Sequence, residues 1–140
     1  MNYSALIQNR KSVREFTDTQ VFFGDLDKIR NNYNTSVRRL MPEIKTELRF
    51  FGTASREALE GAAGYNKFLV GAPQYMVLLS EAHKMAHMNA GYIMEDMVLK
   101  LTDMDIDSCW VTFTDSEAVQ SALDIRSELD VVAIVAFGYG

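Results

Sequence analysis

Cysteine occurs once in this 140-residue chain, at Cys109, and proline twice, at Pro42 and Pro73. A single thiol excludes a disulfide framework and suits a reducing compartment, so a cytoplasmic location is expected. Both prolines stand where a strand could begin. No apolar run approaches the roughly 20 residues needed to span a membrane. The longest one near the C-terminus, VVAIVAFGYG, is strand-sized. The first residues, MNYSALIQNRK, have no charged start followed by an apolar stretch, and no secretory signal is expected. Phosphate-cradling glycine loops are missing: neither G-x-G-x-x-G nor the P-loop pattern occurs. Basic residues are in deficit, with 14 Lys and Arg against 19 Asp and Glu, giving a formal net charge of −5. That balance argues against a broad nucleic-acid-binding surface. Any anion site must be local.

What remains is a globular composition, 48 % hydrophobic, in a length that suits one domain covering residues 1–140. Helical spacing of apolar residues predicts helices over 3–10, over 25–40 (Leu26, Ile29, Tyr33, Val37, Leu40) and, longest, over about 82–104 (Ala90, Ile93 or Met94, Met97, Leu101, Met104). Partial alternation in EIKTELRFF predicts a half-buried strand over 43–51. YMVLLS (75–80), SCWVTF (108–113) and DVVAIVAFGYG read as further strands. A short helix over 116–123 has Asp115 or Ser116 as its N-cap. Helices and strands interleave, and several strands look buried on both faces. The class is α/β or α+β, with helices covering a sheet.

The cations concentrate in one place, NRKSVREF. The plainer reading is helix chemistry, since Arg10 and Lys11 close the first helix where its dipole is negative. That leaves Ser12 and Arg14 unexplained. If the chain is extended after Lys11, those two point to the same side, and guanidinium with hydroxyl makes a clasp for a phosphate monoester. Other candidates are weaker. His83 and His87 lie four apart on the expected long helix, but no third ligand and no H-E-x-x-H pattern accompanies them, so solvated histidines are expected and no metal. Cys109 lies in an apolar strand with no base beside it and reads as a structural thiol. Met85, Met88, Met94, Met97 and Met104 follow helical spacing, as core or as a face against a partner subunit. Gly91 either permits close backbone approach there or is an ordinary interior glycine. Glu95, Asp96, Asp103, Asp105 and Asp107 read as a solvated face and loop. No acid, base or nucleophile stands out, so no catalytic side chain is assigned.

In combination these pieces resemble a known family. NRKSVREF fits the R-[RK]-S-x-R-x-F signature of the nitroreductases. GAPQYMVLLSE resembles that family's central strand, GYIMEDMVLKLTDMDIDSCWVTF its long core helix and following strand, and VVAIVAFGYG its last core strand. The resemblance covers most of the chain in the family's order. It implies an α+β fold, with a mostly antiparallel central sheet flanked by helices and the long core helix at a homodimer interface. It implies FMN as cofactor, with Arg10, Lys11 and Ser12 at the phosphate and ribityl chain and Arg14 at the pyrimidine edge. Trp110 and Thr112 would line the flavin. The implied activity is a two-step oxidoreduction. NAD(P)H reduces the flavin, and a nitroaromatic or quinone-like acceptor then takes the electrons. The alternative is a non-catalytic flavin-binding or interaction module with the same fold. The S-x-N-x-Q-P-W stretch common in the family is missing, with Asn66 as a candidate substitute; Arg38 and Arg39 could stand in for the basic side chains that the family's C-terminal extension brings to the phosphate, though they read first as helix-surface charges. Family members usually continue beyond the position of Gly140, so the chain is expected to be either a fragment or a minimal member.

Overall fold

Two strands, β2 (Gln74–Ser80), buried throughout, and β4 (Asp130–Gly138), buried or half-buried after its exposed first residue, form the middle of a four-stranded sheet. The computed structural model describes residues 2–64 and 69–140. The sheet order is β1-β2-β4-β3, where β1 is Thr46–Gly52 and β3 is Asp107–Val111, and every pair of neighbours is antiparallel. The central strands read as continuous apolar runs because helices cover both of their faces. Register slips once: Leu78 faces Ala133 but Leu79 faces Val131, so Val132 is an extra residue that bulges from β4.

On one face, Met76, Leu78, Ala133, Val135 and Phe137 pack against α2 (Phe23–Thr35) and the long α4 (Ala86–Asp103). On the other, Tyr75, Val77, Leu79, Ile134 and Ala136 pack against Leu59 of α3 (Arg56–Leu59) and Val119 of α5 (Ser116–Ala122). A short α1 (Tyr3–Asn9) lies on α4 rather than on the sheet. The α+β architecture with a central antiparallel sheet is therefore as expected.

Helix limits depart from the apolar periodicity. α2 ends at Thr35, where the Ser36 N–H still reaches Asn32 O but the Arg39 guanidinium folds back to donate to Tyr33 O and Thr46 Oγ1. α4 begins at Ala86, so His83 precedes the helix; its Nδ1 and carbonyl accept from the N–H groups of Met85 and Ala86 and shape the turn before it. Ile44 is buried but precedes its strand. Helices α4 and α5 end alike. Asp105 (φ 57°) and Asp124 (φ 53°) take the left-handed position, and the Ile106 and Ile125 N–H groups reach back to Leu101 O and Gln120 O. These are Schellman stops with aspartate where glycine is commonest. The first one aims the chain into β3.

Candidate functional site

β3 is an edge strand, and the candidate residues gather at its two ends. Its start is set by the N-terminal segment. Asn2 caps α1 by accepting from the Ala5 N–H, and the helix stops at Arg10, whose backbone turns extended. Ser12 then pairs with Ser108 as a parallel bridge, and the Val13 N–H donates to Ser108 O at 2.9 Å. Beyond this the segment crosses to the end of β4, where the Thr17 N–H donates to Tyr139 O and the Phe16 ring approaches Gly138.

Arg10 and Lys11 line a cleft of about 400 Å³ that also includes Thr102, Asp103, Asp105, Asp107 and Ser108. Arg10 Nε lies 3.6 Å from Glu95 Oε1. Its Nη1 is buried and has no hydrogen-bond partner among the described residues. An orphaned buried donor is expensive, and an acceptor supplied from outside would relieve it. That is the chemistry of a phosphate oxygen, so Arg10 fits the anionic end of FMN. The carboxylates in the same cleft oppose an anion. Two of them are engaged: Asp103 lies 3.8 Å from Lys100 Nζ, and Asp107 accepts from the Gly140 N–H at 2.7 Å.

The far end of β3 opens into a larger cleft, about 740 Å³, lined by Trp110, Thr112, His83, His87, Asp115 and Glu117 among others. The Trp110 ring packs partly against the core on the α4 side. Thr112 is exposed, and its carbonyl accepts from the Gly64 N–H at 2.6 Å. From Ser108 to Thr112 is four strand residues, roughly 13 Å. The structure thus brings Arg10, Lys11 and Ser12 together at one end of β3, and Trp110 and Thr112 at the other. Arg14 is exposed and lines neither cleft.

The structure also places other residues that the sequence singled out. Cys109 is buried, as expected of a structural thiol. Among the described residues no group of three or more His, Cys, Asp or Glu could hold a metal ion. Asp96 is not solvated: it is 6 % exposed and accepts from the Arg38 N–H at 3.1 Å. Burial, followed by the Asp96 charge, pushes the Tyr3 hydroxyl above its ordinary pKa, while the Arg38 guanidinium stacked 4.6 Å over the Tyr3 ring works against this. Neither Arg38 nor Arg39 reaches the cleft at Arg10, and Arg39 is tied to Tyr33 and Thr46. Asn66 lies outside the described residues. A Cβ on Gly91 would meet nothing within 4 Å, so within this chain it is an ordinary interior glycine. Sequence reasoning placed Glu95 on a solvated face but missed its contact with Arg10, and it missed Ser108. Glu95 carries no signal for its partner, whereas Ser108 is a lone polar residue fully buried in a strand, a recognisable sign of a special environment.

The fold and its edge-strand clefts define a class, α+β proteins of the nitroreductase fold. The chain belongs to the family described as "Putative TM nitroreductase", whose profile matches residues 2–140. Solved structures agree on the fold. A nitroreductase family protein from Clostridium novyi NT has a TM-score of 0.80 at 21 % identity, over 99 % of this chain and 85 % of that one. An FMN-dependent nitroreductase from Clostridium difficile R20291 has a TM-score of 0.83 at 19 % identity, over 96 % and 86 %. A nitroreductase with bound FMN from Bacteroides fragilis NCTC 9343 has a TM-score of 0.80 at 23 % identity, over 99 % and 88 %. No curated protein matches the sequence. Among the described residues no helix is long and apolar enough to cross a membrane.

Proposed function

We propose that this protein is an FMN-dependent NAD(P)H oxidoreductase, a single domain that acts in the cytoplasm as a homodimer and reduces nitroaromatic or quinone-like acceptors. The observation that carries the reading is the buried, partnerless Nη1 of Arg10 in the wall of a cleft, within a chain of the nitroreductase family. Arg10 and Lys11 supply positive charge to the phosphate, and Ser12 a hydroxyl to the ribityl chain. Arg14 is assigned to the pyrimidine edge, where a cation stabilises negative charge on the ring. Trp110 and Thr112 flank the ring, with Thr112 held by its bond to Gly64. When bound, FMN supplies the hydride chemistry, and the protein's part is to orient it and exclude water, which accounts for the lack of an assigned catalytic side chain. The dimer reading draws support from Ile7, Met88 and Tyr92, apolar side chains left exposed along α1 and α4.

The three aspartates lining the Arg10 cleft favour a second reading, a fold relative that holds flavin too weakly to turn over. A visible spectrum of the purified protein, taken after adding FMN and desalting, separates the two. Retained flavin absorbance, lost in Arg10→Ala or Ser12→Ala, is the expected outcome. A protein that ignores FMN sinks the enzyme reading, and unchanged affinity in both variants removes the site assignment. Light scattering at micromolar concentration tests the dimer, and a monomer there speaks against it.

A further inference from the structure

Arg10 is held from one side only. A guanidinium offers its donors along the edges of a rigid planar fork. Glu95, on α4, faces the Nε edge at 3.6 Å. Nη1, on the opposite side, is buried without an acceptor among the described residues. An ordinary surface ion pair leaves its spare donors in water, where they cost nothing. Here the Arg10 side chain is three-quarters buried, at 25 % exposure, between α1 and α4, and its spare donor lies inside the cleft wall.

We propose that Glu95 is a positioning residue: its charge, 3.6 Å from Nε, holds Arg10 on that side as an ion pair and so presents the Nη edge to the anionic end of the cofactor. This rests on the assignment of Arg10 to the FMN phosphate. Two effects of Glu95 oppose each other. Its charge repels a phosphate, and its grip fixes the rotamer that receives one. Exposure decides between them. Glu95 is 47 % exposed, so water and salt screen its repulsion of an anion on the far side of the guanidinium. Without Glu95, a rotamer-rich side chain must be immobilised at the binding step, and that loss is not screened.

FMN affinity of the full chain, read by quenching of flavin fluorescence, is the test, with the urea midpoint of the flavin-free protein alongside. Glu95→Gln is expected to weaken FMN binding roughly two- to tenfold, the cost of ordering one long side chain. In an Arg10→Ala background the same substitution is expected to have no further effect. The proposal is overturned if Glu95→Gln leaves affinity unchanged while Arg10→Ala weakens it, which marks a purely structural ion pair. Tighter binding in Glu95→Gln also overturns it, because Glu95 is then a competitor for Arg10. So does an equal loss in both backgrounds. Affinity that survives Arg10→Ala is a different failure: the site assignment falls, and this proposal falls with it.

Discussion

Tyr75→Phe removes a single oxygen from the centre of the protein, and its effect can be worked out. The Tyr75 ring is fully buried on the α5 side of β2. Its hydroxyl donates to Val70 O at 2.6 Å and accepts from the Ala72 N–H at 3.2 Å. It therefore clamps the residues just before β2 onto the strand itself. Phenylalanine keeps the packing and leaves both backbone groups without that partner. Ala72 is 2 % exposed, so its N–H finds no water, while the half-buried Val70 carbonyl can be partly rehydrated. The expected loss is about 2 kcal/mol, one fully unsatisfied group and one partly so. For a chain of this size that lowers the thermal midpoint by roughly 6–8 °C. The pH dependence is the sharper part. Burial pushes the Tyr75 hydroxyl above its ordinary value of 10.0, and the Ala72 N–H bond and the Arg56 charge only partly offset this. The unfolded chain ionises first, so this contribution is complete below pH 10 and is lost as pH rises through the folded value. Urea titrations of both proteins from pH 7 to 11 should show a constant stability gap up to about pH 9 that narrows above pH 10. Tyr3, also raised, is present in both proteins and cancels. A gap that stays constant to pH 11, or widens, refutes the reasoning.

Two glycine substitutions test the packing. A Cβ on Gly138 would sit 2.6 Å from Pro73 Cγ and 2.7 Å from Pro73 Cδ, so Gly138→Ala should lower stability by about 1–3 kcal/mol in a urea titration. Gly91→Ala should raise stability by about 1 kcal/mol, because it removes an unfavourable residue from the interior of α4 and meets nothing in this chain. A loss there instead means that a second copy covers that point.

The sequence carries the sheet and the long helix plainly, because their apolar periodicity is also their burial. Residues 75–80 and the run from Asp130 lie within one residue of the observed strand starts, and Ala90, Ile93, Met94, Met97 and Leu101 all face the core. Periodicity failed where polar groups set the limits. The start of α4 is fixed by the backbone turn around His83, and Met85 at its N-cap offers no side-chain signal. The end of α2 is fixed by the fork of Arg39. Asp96 was misread because carboxylates are usually solvated, yet it lies three residues from Ile93 and seven from Asn89, on the buried side of the helix. The residues proposed as a clasp were visible as a cluster in NRKSVREF. Their placement at β3, with Arg14 apart from the others, depends on the Ser12–Ser108 bridge between positions 96 residues apart in the chain, which no local pattern records.

Strand order also dictates when this molecule can exist. Among the strands of the sheet β3 has a single neighbour, β4, and the β1–β2 pair joins β3 only through that same strand. Closing β2 onto β4 spans roughly fifty residues and meets its loop entropy before any reward arrives, which makes for slow folding. During synthesis, a chain that has reached Val111 carries an edge strand with no sheet to border. The nine residues Asp130–Gly138 act as a keystone. Until they are in place, the larger cleft at the far end of β3 lacks the wall formed by Asp130 to Ile134.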